Sequence, residues 1–165
     1  MKLIKNFLTC VTISLLILLA GCNTKVINDT PLIKADFSFT ELSDEDFQDI
    51  GTKGYVKEDF RKVNLNVRVK NSSNITDRTL TIPDLKNIMN SYDMERYWYG
   101  QYTTEDNPGK DACYTYDIMF LSKGLSEDDI ANIFKASVIT VTWTDKSTKE
   151  NKSIINLADI IEFKQ

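Results

Sequence analysis

Apolar side chains recur at every second position in several separate stretches of the chain. Ile33, Ala35, Phe37 and Phe39 are interleaved with Lys34, Asp36 and Ser38, and Val63, Leu65, Val67 and Val69 with Asn64, Asn66, Arg68 and Lys70. A period of two turns one face of an extended chain toward a core and the other toward water, so both stretches predict half-buried strands. The turn-forming cluster at 71–74 follows the second stretch, and another strand-like run at 78–82 is stopped by Pro83. Further strands are expected at 95–103, 112–121, 138–144 and 152–157, with a last piece at 160–163, which makes seven or eight. Asn107-Pro108-Gly109 and the polar run 145–148 supply turns between neighbouring pairs.

Three short stretches follow a helical period instead. Leu42-Ser43-Asp44 and Leu125-Ser126-Glu127 each open a segment in which a serine can cap free backbone N–H groups and acids occupy the positive end of the helix dipole. Leu42 with Phe47, and Leu125 with Ile130, have the spacing of a hydrophobic staple. A third helix is expected at 84–90, with Leu85, Ile88 and Met89 on one face. Several short alternating strands separated by turns favour two sheets packed face to face. The expected fold is therefore an immunoglobulin-like antiparallel β-sandwich of about seven strands with two or three short helices, spanning residues 32–165. The Cys-Trp-Cys signature of antibody domains is missing, so the expectation concerns architecture and not membership of that family.

The start of the chain has a different character. Lys2 and Lys5 precede an apolar run from Phe7 to Ala20, which gives way at once to Asn23-Thr24-Lys25. The run is shorter than the roughly 20 residues of a membrane-spanning helix and has the layout of a signal peptide over residues 1–21. An ordinary cleavage site is not present, because bulky Leu19 stands third before a cut after Gly21. Leu19-Ala20-Gly21-Cys22 resembles instead the lipobox of bacterial lipoproteins. That resemblance covers only the first 22 residues. It implies that Cys22 becomes the first mature residue and carries a diacylglycerol, the membrane contact of a small envelope lipoprotein on the extracytoplasmic face of the bacterial cell membrane. Two acyl chains at about 0.8 kcal/mol per buried methylene anchor a protein stably where one is marginal. Residues 22–31 are polar and without period, a tether that spans about 30 Å when fully extended.

Composition narrows the chemistry. Of 165 residues, 42% are hydrophobic and 27% charged, an ordinary globular balance that excludes a disordered chain. There is no histidine, which removes Ser-His-Asp and Cys-His catalysis and every histidine-containing zinc site. The net charge is −4, and loss of Lys2 and Lys5 with the signal makes it more negative still. Such a chain is repelled by anionic phosphate, so neither nucleic acid nor a polybasic membrane contact is expected as a partner. Once Cys10 leaves and Cys22 is acylated, Cys113 stands alone, a small buried hydrophobe or a reactive thiol.

Candidate chemistry reduces to carboxylates and aromatics. Asp44 and Asp46 have the first spacings of a calcium loop, but its glycine position falls on Asp49 and its bidentate glutamate position on Tyr55, so a capped helix is expected there. Nothing pairs two carboxylates across a cleft as a glycosidase requires. No enzyme, metal or cofactor is expected. Aromatics are dense from Tyr92 to Tyr116. With a hairpin in simple register, Tyr97 and Tyr99 lie opposite Ile118 and Tyr116 on the core face. Trp98 and Tyr102 then share the other face with Asp117, where they either cover packing pairs or contact a protein or glycan partner. The functional expectation is a lipid-anchored binding module, accessory to a membrane or cell-wall component, with glycan binding by Trp98 and Tyr102 as the alternative.

Overall fold

Phe37 and Phe39 can be buried together only if the strand that carries them is paired in one register. In the computed structural model, β1 (Leu32–Glu41) lies antiparallel to β2 (Phe60–Lys70), with Phe37 opposite Leu65 and Phe39 opposite Val63. A slip of one residue would drive these rings into water. The structure describes residues 30–49, 54–70, 75–107 and 109–164. The signal segment, Cys22, the tether as far as residue 29 and the expected turn at 71–74 lie outside the described residues.

The remaining strands are β3 (Ile75–Thr81), β4 (Tyr97–Asp106), β5 (Ala112–Leu121), β6 (Val138–Asp145), β7 (Glu150–Asn156) and β8 (Ile161–Lys164). They form a five-stranded sheet in the order β4-β5-β2-β1-β8 and a three-stranded sheet in the order β3-β6-β7. The two sheets share one core, in which Phe37, Phe39, Leu65 and Phe120 of the larger meet Ile139 of the smaller and Phe134 between them. The chain is thus mainly β, in two facing sheets. One pairing departs from the antiparallel expectation: β8 runs parallel to β1, with Phe39 opposite Phe163. The cause is a sheet switch, since a 3-10 turn at Leu157–Ile160 buries Leu157 and carries the chain from β7 to the far edge of the larger sheet.

Helices form at all three expected segments, two with the serine caps expected of them and the third with Asp84 as its cap instead of its first residue. Helix α1 (Asp44–Asp49) opens with the Ser43 hydroxyl accepting from the Asp46 N–H at 3.0 Å. In α2 (Leu85–Asn90) the Asp84 carboxylate accepts from the Asn87 N–H at 3.0 Å, and Leu85 and Met89 enter the core. In α3 (Glu127–Ile133) Ser126 and Asp129 cap each other reciprocally, and Ile130 is buried. Among the described residues no helix is long and apolar enough to cross a membrane.

Two smaller clusters complete the packing. Val69, Ile75, Ala112, Val141 and Trp143 fill the core at the end where β1 begins. At the opposite end Leu42, Phe60, Met119 and Leu121 gather on the outer face of the larger sheet, with Phe47 and Tyr55 against them. This second cluster borders the candidate site.

Candidate binding site

Strand β4 is an edge of the larger sheet, and its entry is pinned from three sides. The Asn90 side-chain oxygen accepts from the N–H groups of Arg96 (2.8 Å) and Tyr97 (2.7 Å), and the Leu121 N–H donates to the Arg96 carbonyl at 2.8 Å. The Arg96 side chain is buried. It pairs with Asp93 at 2.5 Å and donates to the Leu121 carbonyl at 2.8 Å. The strand then bulges: Tyr97 faces Phe120, Tyr99 faces Met119, and Trp98 is the extra residue between them. A bulge sets two residues against one and shifts everything after it. The simple hairpin register is also corrected: the loop pairs Asp106 with Ala112, so Gly100 and Tyr102, not Tyr97 and Tyr99, stand opposite Ile118 and Tyr116.

The bulge separates the two expected contact residues. Trp98 lies on the outer face, edge-on to Tyr55 (5.6 Å) and Phe60 (5.4 Å). Tyr102 lies on the inner side, stacked on Tyr116 at 5.6 Å and 20°. Each belongs to a different hollow. The outer one, about 580 Å³, is walled by Trp98 and Tyr99 and floored by Lys62, Gln101, Asp117 and Met119, with Asp46 of α1 at its rim. The inner one, about 310 Å³, runs from Pro83 and Lys86 to Tyr97, Gly100, Tyr102 and Tyr116. Lys86 sits over the Tyr97 ring at 5.4 Å. The edge backbone of β4 separates them.

Two of the charges around the outer hollow compensate each other. Lys62 pairs with Asp46 at 3.1 Å. Burial pushes the Asp46 carboxyl up, but the Ser43 hydroxyl and the Lys62 ammonium together hold it below the usual value. Asp44 is held low by Lys57 at 2.6 Å, so the acidic start of α1 is an ion-paired helix end. Among the described residues no group of three or more histidine, cysteine or acidic side chains is placed to hold a metal ion. Cys113 is half-buried on the outer face, opposite Arg68 and Glu105, with its Sγ 3.9 Å from the Thr115 hydroxyl.

At the other end of β4, the Arg78 guanidinium reaches across from β3 to pair with Asp106 and donates to the Lys110 carbonyl at 2.7 Å. The Tyr114 hydroxyl donates to the same Asp106 carboxylate at 2.7 Å. Burial, and then this bond, push the Tyr114 phenol up to about 12. This clamp ties the two sheets together and is structural.

Sequence reasoning missed Tyr55, Tyr99 and the pairing of Lys62 with Asp46. One signal was present: an isolated glycine inside a strand pattern, here Gly100, marks a bulge or a close approach. No protein-family model, curated protein or solved structure matches this chain.

Proposed function

We propose that this chain is a lipid-anchored binding module of the bacterial cell envelope, held at the extracytoplasmic face by acylated Cys22. It acts as a non-catalytic accessory to a neighbouring membrane or cell-wall component. The lipobox-like run Leu19-Ala20-Gly21-Cys22 supports the anchor. The observation that carries the binding role is the exposure of Tyr99 (56%) and Tyr102 (69%) on one edge strand, each beside an open hollow. Large aromatics left in water at a sheet edge are costly unless something covers them. An immunoglobulin-like topology is part of this reading. It is supported by the strand order, because β4-β5-β2-β1 over β3-β6-β7 is the D-E-B-A over C-F-G order of that sandwich, with β8 added.

The test has two arms. Labelled fatty acid should be incorporated into the native chain and not into Cys22→Ala, and a native chain that takes up no label, or a variant labelled equally, refutes the anchor. A gentle-detergent pull-down of the acylated chain should return a stoichiometric envelope partner that the Cys22→Ala form does not recover. A second reading, glycan binding, is favoured by the mix of Trp98 and Tyr99 with Lys62, Gln101 and Asp117 in the outer hollow. Aromatic faces with amide, ammonium and carboxylate neighbours suit a sugar ring. It predicts that Trp98→Ala abolishes polysaccharide retention while Tyr102→Ala, on the other side of the strand, leaves it intact.

A further inference from the structure

We propose that the open edge of β4 is a strand-addition site for an extended, basic, alternately apolar segment of a neighbouring envelope protein. This rests on the binding-module reading and names its mode. Four strands lie at sheet edges: β4 and β8 in one sheet, β3 and β7 in the other. An exposed edge is a template for pairing, and proteins blunt it with short length, irregularity or charge, lysine above all. Three of the four are blunted. β8 has only 4 residues. β3 breaks register between Thr76 and Thr79, with Asp77 at φ +50°. β7 carries Glu150 and Lys152 among its 7 residues.

β4 is the least blunted of the four, because its bulge at Trp98 and its acids Glu105 and Asp106 lie at its two ends and leave 99–104 regular and uncharged. It runs for 10 residues, contains neither lysine nor arginine, and is paired only with β5 among the described residues. A strand added along it would direct successive side chains to opposite faces. Those faces are already shaped. One residue of the added strand meets the Trp98–Tyr99 wall of the outer hollow, and the residue three positions along, on the opposite face, meets the Tyr102–Tyr116 stack of the inner one. Alternation puts Tyr99 and Tyr102 on opposite sides of the edge, and the bulge adds Trp98 to the Tyr99 side. In strand addition, main-chain hydrogen bonds supply affinity and alternate pockets supply specificity. Charge selects the occupant: Arg78 already answers Asp106, but Glu105 at that end and Asp117 in the outer hollow have no ion pair among the described residues, and β4 itself has no cation, so the complementary segment is basic. A second copy of β4 would bring another strand without a cation, so self-pairing lacks this complementarity.

The experiment is a selection of random nonapeptides against the acylated full chain in detergent micelles. The best binder is then studied by amide hydrogen exchange and by N-methylation at each position in turn. Basic peptides with apolar residues at alternate positions should be enriched. N-methylation should abolish binding at every second residue and not between, because alternate N–H groups of an added strand face its neighbour. The open-edge amides of β4 should gain protection, and Tyr99→Lys and Tyr102→Lys should each weaken binding by about tenfold, the loss of one aromatic anchor worth about 1.4 kcal/mol, with the melting temperature unchanged for Tyr99→Lys and lowered for Tyr102→Lys, which also loses its stack on Tyr116. No enrichment, loss without a period of two, or protection elsewhere overturns the proposal. So does β4 protection that grows with protein concentration in the absence of peptide, which identifies a second copy as the occupant. Failure here is separable from failure of the binding-module reading. A stoichiometric partner returned by the detergent pull-down, with cross-links mapping away from β4, leaves that reading standing.

Discussion

Gly100 is the position where one added methyl group reports on how β4 is built. It is not among the glycines with positive φ, so any cost of alanine there is steric and not conformational. A Cβ would collide with the Tyr97 hydroxyl, approach the Tyr97 Cζ to 2.9 Å and press on the Ile118 Cγ1 at 3.1 Å. Overpacking of this kind costs about 1–3 kcal/mol, while alanine gains about 0.5–1 kcal/mol over glycine inside a strand. Gly100→Ala should therefore destabilise the native chain by up to about 2.5 kcal/mol. Remove the obstacle and the sign reverses. In a Tyr97→Ala background the same substitution should stabilise by up to about 1 kcal/mol, giving a coupling of about 1–3 kcal/mol between the two positions. Equilibrium urea unfolding of the four proteins closes the cycle, and at this chain length each kcal/mol corresponds to about 3–4 °C in melting temperature. An equal effect of Gly100→Ala in both backgrounds refutes the claim that Tyr97 folds over Gly100 to floor the inner hollow.

Three other outcomes follow from the packing and the charges. Phe39 touches the rings of Phe37, Phe120, Phe134 and Phe163 at 5.2 to 5.9 Å. Phe39→Ala should cost about 3–5 kcal/mol, and thermal unfolding should show the midpoint falling by about 10–15 °C; a loss below about 1 kcal/mol contradicts a shared core. The Tyr114 phenol, at about 12 against an ordinary value of 10.0, keeps its proton in the fold after the unfolded chain has lost it. Its contribution to stability is full below pH 10 and is lost as pH rises toward 12. Phenolate absorbance of Asp106→Asn should show this tyrosine titrating earlier. Asp145 accepts from the Ser147 hydroxyl, the Asn151 amide and the backbone of Lys149 and Ser147, which hold it at about 2. Its contribution is present above the ordinary carboxylate range and vanishes as pH falls through about 2. A carboxyl titration by NMR that places it near 4 would remove Asp145 as the organiser of the β6–β7 turn.

Local physics was readable from the chain because it depends on near neighbours. The alternation from Val63 to Val69 is the inner face of β2, the run 112–121 is β5 residue for residue, and Ser43 and Ser126 each cap the helix expected of them. The candidate site was harder to read because it depends on register. Trp98 and Tyr102 are four positions apart, which in a regular strand means one face; the bulge between Tyr97 and Tyr99 places them on two. That bulge is set by contacts distant in sequence, Asn90 seizing two N–H groups and Leu121 bonding to Arg96. The parallel pairing of β8 escaped for a similar reason. Alternation in Ile161 and Phe163 specifies a buried face but not the sheet that buries it.

The register also gives the anchored molecule a direction. Leu32, where the tether would join, stands beside Lys70 at the end of β2, and from there the ladder runs through Ala112 to Asp106 of β4. On the lipid-anchor proposal, that end of the larger sheet is the one nearer the anchor. Glu41, Phe60, Leu121 and Tyr97 mark the opposite end, about 30 Å away at 3.3 Å per residue along β1. On the lipid-anchor proposal, Trp98 and Tyr99 lie at the end of the sheet farther from the anchor, and a fully extended tether would add up to about 30 Å. Deletion of residues 23–29 should leave the melting temperature unchanged. It should reduce recovery of a partner that reaches β4 from the wall side, and have no effect on one that lies against the lipid. Equal recovery with and without those residues would place the partner in the membrane, near Glu105 and Asp106 and not at the aromatic end.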